Sequence, residues 1–134
     1  MELANGDLML NIREQNGNTK QRLVAISSDG GASWERTYFD GELVTQVCQS
    51  SLLLFETEQK NFLVYSGPNS STKREKMTLK VSLDSGATWS HKIEVHAKGA
   101  AYSDLVQIDR NHLGLFYEQD FKKMVFEVFT PDEL

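Results

Sequence analysis

Apolar residues in this chain recur at every second position, in short runs that stop at clusters of Gly, Asn, Asp and Ser. A period of two is the strand period, because successive side chains point to opposite faces of a sheet. No segment sustains helical i, i+3, i+4, i+7 spacing over a dozen residues. The pattern predicts strands at Asp7–Glu14, Gln21–Ser28, Trp34–Phe39, Ser51–Glu56, Asn61–Ser66, Met77–Leu83, Trp89–His96, Tyr102–Ile108, His112–Tyr117 and Met124–Phe129. In the sixth, Met77, Leu79, Val81 and Leu83 share one face, and Thr78, Lys80 and Ser82 the other. The continuous run Leu52–Phe55 reads as a strand buried on both faces. Turn residues at Asn16-Gly17-Asn18, Asp29-Gly30-Gly31 and Asp84-Ser85-Gly86 join neighbouring strands, which are therefore expected to be antiparallel. The expected class is all-β.

A repeat then sets the architecture. Ser27-Ser28-Asp29-Gly30-Gly31-Ala32-Ser33-Trp34 matches Ser82-Leu83-Asp84-Ser85-Gly86-Ala87-Thr88-Trp89, 55 residues on. Both fit S-x-D-x-G-x-[ST]-W. Each part has a mechanical role: the aspartate can accept backbone N–H groups across the turn, the glycine permits a positive φ, and the tryptophan is expected to pack back over its hairpin. Repeats of this length in an all-β chain suggest propeller blades of four strands. Asp29 and Asp84 are accordingly read as structural carboxylates. The register places strands two to four of one blade in residues 7–39, a complete blade in 51–96, and three strands of another in 102–130. That is about two and a half blades in one domain, residues 1–134. Such an arc leaves strand edges and apolar faces open, so the sequence reads as part of a ring or half of an assembly.

Composition removes several function classes. With 134 residues there is room for one ordinary domain. A net charge of −5 argues against nucleic acid as the main partner. An acidic protein can still hold an anion through a local cluster of cations, for which Arg13, Arg22, Lys73, Arg74 and Lys76 are the candidates. No apolar run approaches the ~20 residues of a membrane span, and residues 1–14 carry no signal-peptide pattern. The single cysteine, Cys48, excludes an internal disulfide and is expected to be a buried structural thiol. His91, His96 and His112 lack metal-ligand spacing, so neither a metal nor a cofactor is expected.

The two S-x-D-x-G-x-[ST]-W segments resemble the Asp boxes of sialidases, and four further segments extend the resemblance over essentially the whole chain. Asp7-Leu8-Met9-Leu10-Asn11-Ile12-Arg13 is similar to the sialidase segment whose arginine belongs to the triad that grips the sialic-acid carboxylate. Lys73-Arg74-Glu75-Lys76-Met77-Thr78 is similar to the segment with another triad arginine, Arg74 standing eight residues before Ser82. Gly99-Ala100-Ala101-Tyr102-Ser103-Asp104-Leu105 resembles the nucleophile segment, with Tyr102 in the nucleophile's place. Leu115-Phe116-Tyr117-Glu118 resembles the segment whose glutamate supports the triad. The implied fold is the C-terminal part of a six-bladed β-propeller. The implied activity is exo-α-sialidase, the hydrolysis of terminal sialic acids from glycoconjugates. A non-catalytic propeller module that binds glycan or protein is the alternative.

The implied residue types suit that chemistry. A planar guanidinium forks onto a carboxylate with two parallel hydrogen bonds, which lysine cannot do. The anomeric carbon of sialic acid already bears an anionic group, so a carboxylate nucleophile is repelled and a tyrosine is not; sialidases depart from the two-carboxylate scheme for this reason. A phenol needs a base or nearby cations to become nucleophilic, and Arg13 and Arg74 are such cations. Arg22, Lys73 and Lys76 are expected to be surface charge. The family's first triad arginine, its acid/base aspartate and the glutamate that deprotonates the tyrosine have no counterparts here and are expected upstream. Little activity is therefore expected of these residues alone. Sialylated glycans are the implied partners, with self-association or further N-terminal blades closing the ring. The resemblance spans secreted, periplasmic, membrane-associated and lysosomal proteins and assigns no compartment.

Overall fold

The computed structural model describes all 134 residues. Nine antiparallel strands follow one another: β1 (Leu8–Arg13), β2 (Gln21–Ser27), β3 (Arg36–Val44), β4 (Ser51–Glu56), β5 (Asn61–Pro68), β6 (Glu75–Ser82), β7 (His91–Asp109), β8 (His112–Gln119) and β9 (Lys123–Phe129). One 3-10 turn, Pro131–Glu133, ends the chain. Strands β1 to β3 form one sheet, and β4 to β9 a second in simple sequence order.

Nine strands stand where ten were expected because β7 is a single strand of 19 residues. Its first part pairs with β6 as far as Gly99, and its second part pairs with β8 from Ala100 onward. It thus leaves one blade as the outer strand and enters the next as the inner one. Backbone groups stay paired through the bend: Ala100 N–H donates to the Arg74 carbonyl at 3.0 Å, and the Gly99 carbonyl accepts from Asp120 N–H. A Cβ at Gly99 would lie 2.8 Å from the Phe121 ring, so a larger residue there would have to displace that exposed side chain. The result is three blades of three, four and three strands, a partial propeller of the expected register.

Each seam between blades holds its own apolar core. Met9, Val24, Ile26 and Leu43 of the first blade meet Leu63, Tyr65 and Trp89 of the middle one. Phe55, Phe62, Val64, Met77, Leu79 and Val81 meet Leu105, Leu113, Leu115 and Tyr117 of the third. Strand β5 feeds both cores by alternation, Leu63 and Tyr65 to one side, Phe62 and Val64 to the other. In β6 the apolar residues Met77, Leu79 and Val81 face the third blade as the pattern requires. The polar set Thr78, Lys80 and Ser82 is buried as well, because a blade is covered on both faces. Lys80 is satisfied across the seam by donating to the Glu42 carbonyl, and burial pulls its pKa down. Leu83, expected beside Val81, lies past the strand end and is exposed. In β4 only Phe55 is fully buried, and Leu52 to Leu54 are half-covered, because β4 is the edge strand of its sheet. The outward faces of the end blades carry Leu10, Ile12 and Phe39 at one end and Val106, Phe116, Phe126 and Val128 at the other, all 37% to 52% exposed.

The two repeats fold alike. Ser27 Oγ donates to Asp29 and accepts Gly31 N–H, while Asp29 accepts Ser33 N–H at 2.8 Å and Ser33 Oγ–H at 2.7 Å. Ser82, Asp84, Gly86 and Thr88 repeat every one of these bonds. The Ser33 and Thr88 N–H groups hold the Asp29 and Asp84 carboxyls down at about 2. The tryptophans diverge. Trp34 lies against its own Gly31 turn, as expected, and is 36% exposed. Trp89 is 8% exposed and turns away from its hairpin into the first blade, where its indole N–H donates to Asp40. Tyr65 meets its ring edge-on.

Candidate functional site

Arg74 leads into β6, Tyr102 lies just beyond the bend of β7, and Glu118 is near the end of β8. The folded chain brings these three together. The Arg74 guanidinium carbon lies 5.7 Å from the centroid of the Tyr102 ring. The Glu118 carboxylate accepts the Tyr102 backbone N–H at 3.3 Å. That bond replaces a ladder bond: the β7–β8 register is irregular between Ala100 and Ser103, so Tyr102 sits in a bulge. Bulges re-aim side chains and concentrate beside sites of function. The Tyr102 side chain is 43% exposed.

Arg13 is the last residue of β1 and pairs in the ladder with Arg22 of β2. Its charge acts on Arg22, and the charges of Arg22, Arg74 and Glu118 all act on the Cys48 thiol. Neither Arg13 nor Arg74 meets a carboxylate; the carboxylates that contact a basic side chain are Asp120, with His96, and Asp109, with His112. Arg74 spends one nitrogen, Nη2, on the Val47 carbonyl at 2.8 Å. Its remaining N–H groups are available to an anion.

Arg22 corrects the sequence reading. Expected on the surface, it is 2% exposed. Its guanidinium donates to Asn11 Oδ1 at 2.6 Å, the Asn11 carbonyl at 2.9 Å and the Cys48 carbonyl at 2.7 Å. Burial lowers its pKa, and the neighbouring Arg13 lowers it further. The signal was available: alternation puts Arg22 on the same face of β2 as the core residues Val24 and Ile26. Lys73 and Lys76 are exposed, as expected. Cys48 is fully buried, and burial pushes its thiol pKa up against the opposing pull of Arg74 and Arg22.

Two clefts flank the Tyr102–Glu118 bond. One of about 250 Å³ is lined by Gln49, Tyr102, Ser103, Asp104, Phe116 and Met124. The other, about 400 Å³, is lined by Glu118, Phe121, Lys122, Lys123 and Met124. No helix of the chain is long and apolar enough to cross a membrane.

The BNR repeat-like domain family matches residues 1–116. A sialidase of Bacteroides fragilis is 34% identical over 94% of this chain, which corresponds to 24% of that protein. The solved structure of Hadza microbial sialidase Hz136 superposes with a TM-score of 0.84 at 30% identity, over 95% of this chain and 26% of that one. A leech intramolecular trans-sialidase complexed with 2,7-anhydro-Neu5Ac superposes with a TM-score of 0.82 at 23% identity, over 99% of this chain and 23% of that one, a likeness of fold. The chain thus spans about a fifth to a quarter of the length of the curated relatives it matches.

Proposed function

Because the chain belongs to the BNR-repeat family of sialidases, we propose that it supplies the carboxylate grip and the nucleophile of an exo-α-sialidase site acting on terminal sialic acids. The observation that carries this reading is the exposed Tyr102 phenol lying under an arginine that no carboxylate neutralises. Arg13 and Arg74 fork onto the sugar carboxylate and present the anomeric carbon to the phenol. The Tyr102 oxygen bonds to that carbon as the bond to the aglycone oxygen breaks. The phenol proton passes to a base, and the leaving oxygen takes a proton from an acid. Water then displaces the tyrosine, restoring the phenol and releasing sialic acid with retained configuration. Glu118 steadies the arrangement from behind, through the Tyr102 backbone.

The acid and the base of this scheme are assigned to no residue of this chain. General acid–base assistance is worth roughly 10²–10⁴-fold, so these residues are expected to bind sialic acid and to turn sialosides over weakly. The alternative, a glycan-binding module, uses Arg13 and Arg74 in the same way and leaves Tyr102 idle. A fluorogenic sialoside assay beside calorimetric binding of sialic acid separates the two. Turnover that Tyr102→Phe abolishes while binding persists supports the sialidase reading. Binding with no turnover supports the module. Sialic acid that fails to bind, or binds equally to Arg13→Ala and Arg74→Ala, overturns both.

A further inference from the structure

Residues Thr45–Ser50 link the first blade to the middle one and belong to no strand. Thr45 and Cys48 are nevertheless buried, and buried backbone groups outside a ladder need other partners. Side chains supply them. The Cys48 carbonyl accepts from Arg22, and the Val47 carbonyl accepts from Arg74. Gln49 works in the opposite direction, toward the third blade. Its Oε1 accepts Ser103 N–H at 3.0 Å, and its Nε2 donates to the Ser103 carbonyl at 2.9 Å.

A primary amide offers a donor and an acceptor side by side, as a strand residue does to its neighbour. Gln49 therefore makes a two-bond rung with Ser103 past the end of the β6–β7 pairing, which stops at Gly99. The rung falls beside the bulge that interrupts the β7–β8 ladder between Ala100 and Ser103. Tyr102 lies in that bulge, where its backbone N–H donates to the Glu118 carboxylate of β8. One linker thus touches both halves of the site: Val47 holds the Arg74 guanidinium, and two residues later Gln49 holds the backbone next to Tyr102.

We propose that Gln49 is the positioning residue of the site, setting where the Tyr102 ring lies relative to Arg74. The proposal rests on the reading of Tyr102 as nucleophile only for its consequence, because the positioning itself is measurable without ligand. The test uses the full chain with labelled tyrosine rings observed by NMR, Tyr102→Phe giving the assignment. The ring shift of Tyr102 that depends on Arg74 is the difference between the wild type and Arg74→Ala. It is expected to vanish in the Gln49→Met background, where the side chain keeps its volume and loses both bonds. Ser103→Ala, which removes the Ser66–Ser103 hydroxyl contact and keeps the rung, is expected to preserve it. In the wild type, a coupling across the hydrogen bond from Gln49 Nε2 to the Ser103 carbonyl carbon and slow exchange of the Gln49 amide protons are expected, and these do not depend on any variant folding. An Arg74-dependent shift that survives Gln49→Met overturns the proposal. So does a fast-exchanging Gln49 amide with no coupling. Failure of sialic acid to bind leaves these readouts unchanged and counts against the functional readings above, not against the positioning.

Discussion

Arg74 and Tyr102 form a cation–π contact at 5.7 Å in which the arginine is anchored from behind by the Val47 carbonyl. An exposed contact of this kind contributes ~0.5–1 kcal/mol, which orients the two groups without locking them. The guanidinium keeps donors free for a carboxylate, and the phenol beside it stays accessible.

Arg74 is therefore expected to govern ligand binding. Hydrogen bonds to charged groups are worth about 1.5–3 kcal/mol, so Arg74→Ala should weaken sialic acid binding about 10- to 100-fold by calorimetry. Arg74→Lys should not restore it, since a point charge cannot fork. Full rescue by lysine would reduce the role of Arg74 to net charge.

Arg13 and Arg22 are neighbours on paired strands and should behave oppositely. Arg22→Met leaves the Cys48 and Asn11 carbonyls without their donor and should cost about 1–3 kcal/mol in urea unfolding. Arg13, exposed and unpaired, should change stability by less than about 0.5 kcal/mol on replacement by alanine while weakening sialic acid binding. Equal effects on stability would contradict the placement of Arg22.

The two box tryptophans should also differ. Trp89→Phe removes the indole N–H from Asp40, a buried carboxylate in the adjacent blade, and should destabilise the chain by about 1–3 kcal/mol. Trp34→Phe, on a half-exposed turn, should stay within about 0.5 kcal/mol. Denaturant midpoints of the two variants decide this.

Acid should act through the boxes. Asp29 and Asp84 titrate at about 2 in the fold against an ordinary 3.8. A depressed carboxyl pKa adds stability that is complete above the unfolded value and disappears as pH falls through the folded one. Stability should thus drop between about pH 4 and pH 2. Asp84→Asn should flatten that slope when urea midpoints are followed from pH 6 downward, and an unchanged slope would remove the box from the acid response.

Much of this was legible along the chain because the governing interactions are local. Ser27, Asp29, Gly31 and Ser33 close their turn within seven residues, so the motif reveals its own hydrogen bonds. Alternation put Met77, Leu79 and Val81 on one face of their strand, the face that meets the third blade. Other features were harder to read. Alternation predicts which face a residue takes and not what covers it, so nothing along the chain showed that Thr78 and Lys80 would be buried. The bend in β7 escaped because Ala97 to Ala101 carry no β-branched residue and include Gly99, so the segment reads as a break between two strands. Gln49 had no local signal at all, since its partner Ser103 is 54 residues away.

The sequence alone determined the strand order, the two boxes, the blade register and the resemblance that singled out Arg13, Arg74, Tyr102 and Glu118. These follow from side-chain periodicity and from turns whose partners are a few residues apart. Only the tertiary structure decided that Arg22 is buried, that Trp89 crosses a seam, and that the Thr45–Ser50 linker holds Arg74 and the Tyr102 segment at once. Those outcomes depend on which blade faces meet. Where packing excludes water, each buried donor and acceptor must find a partner from a distant part of the chain.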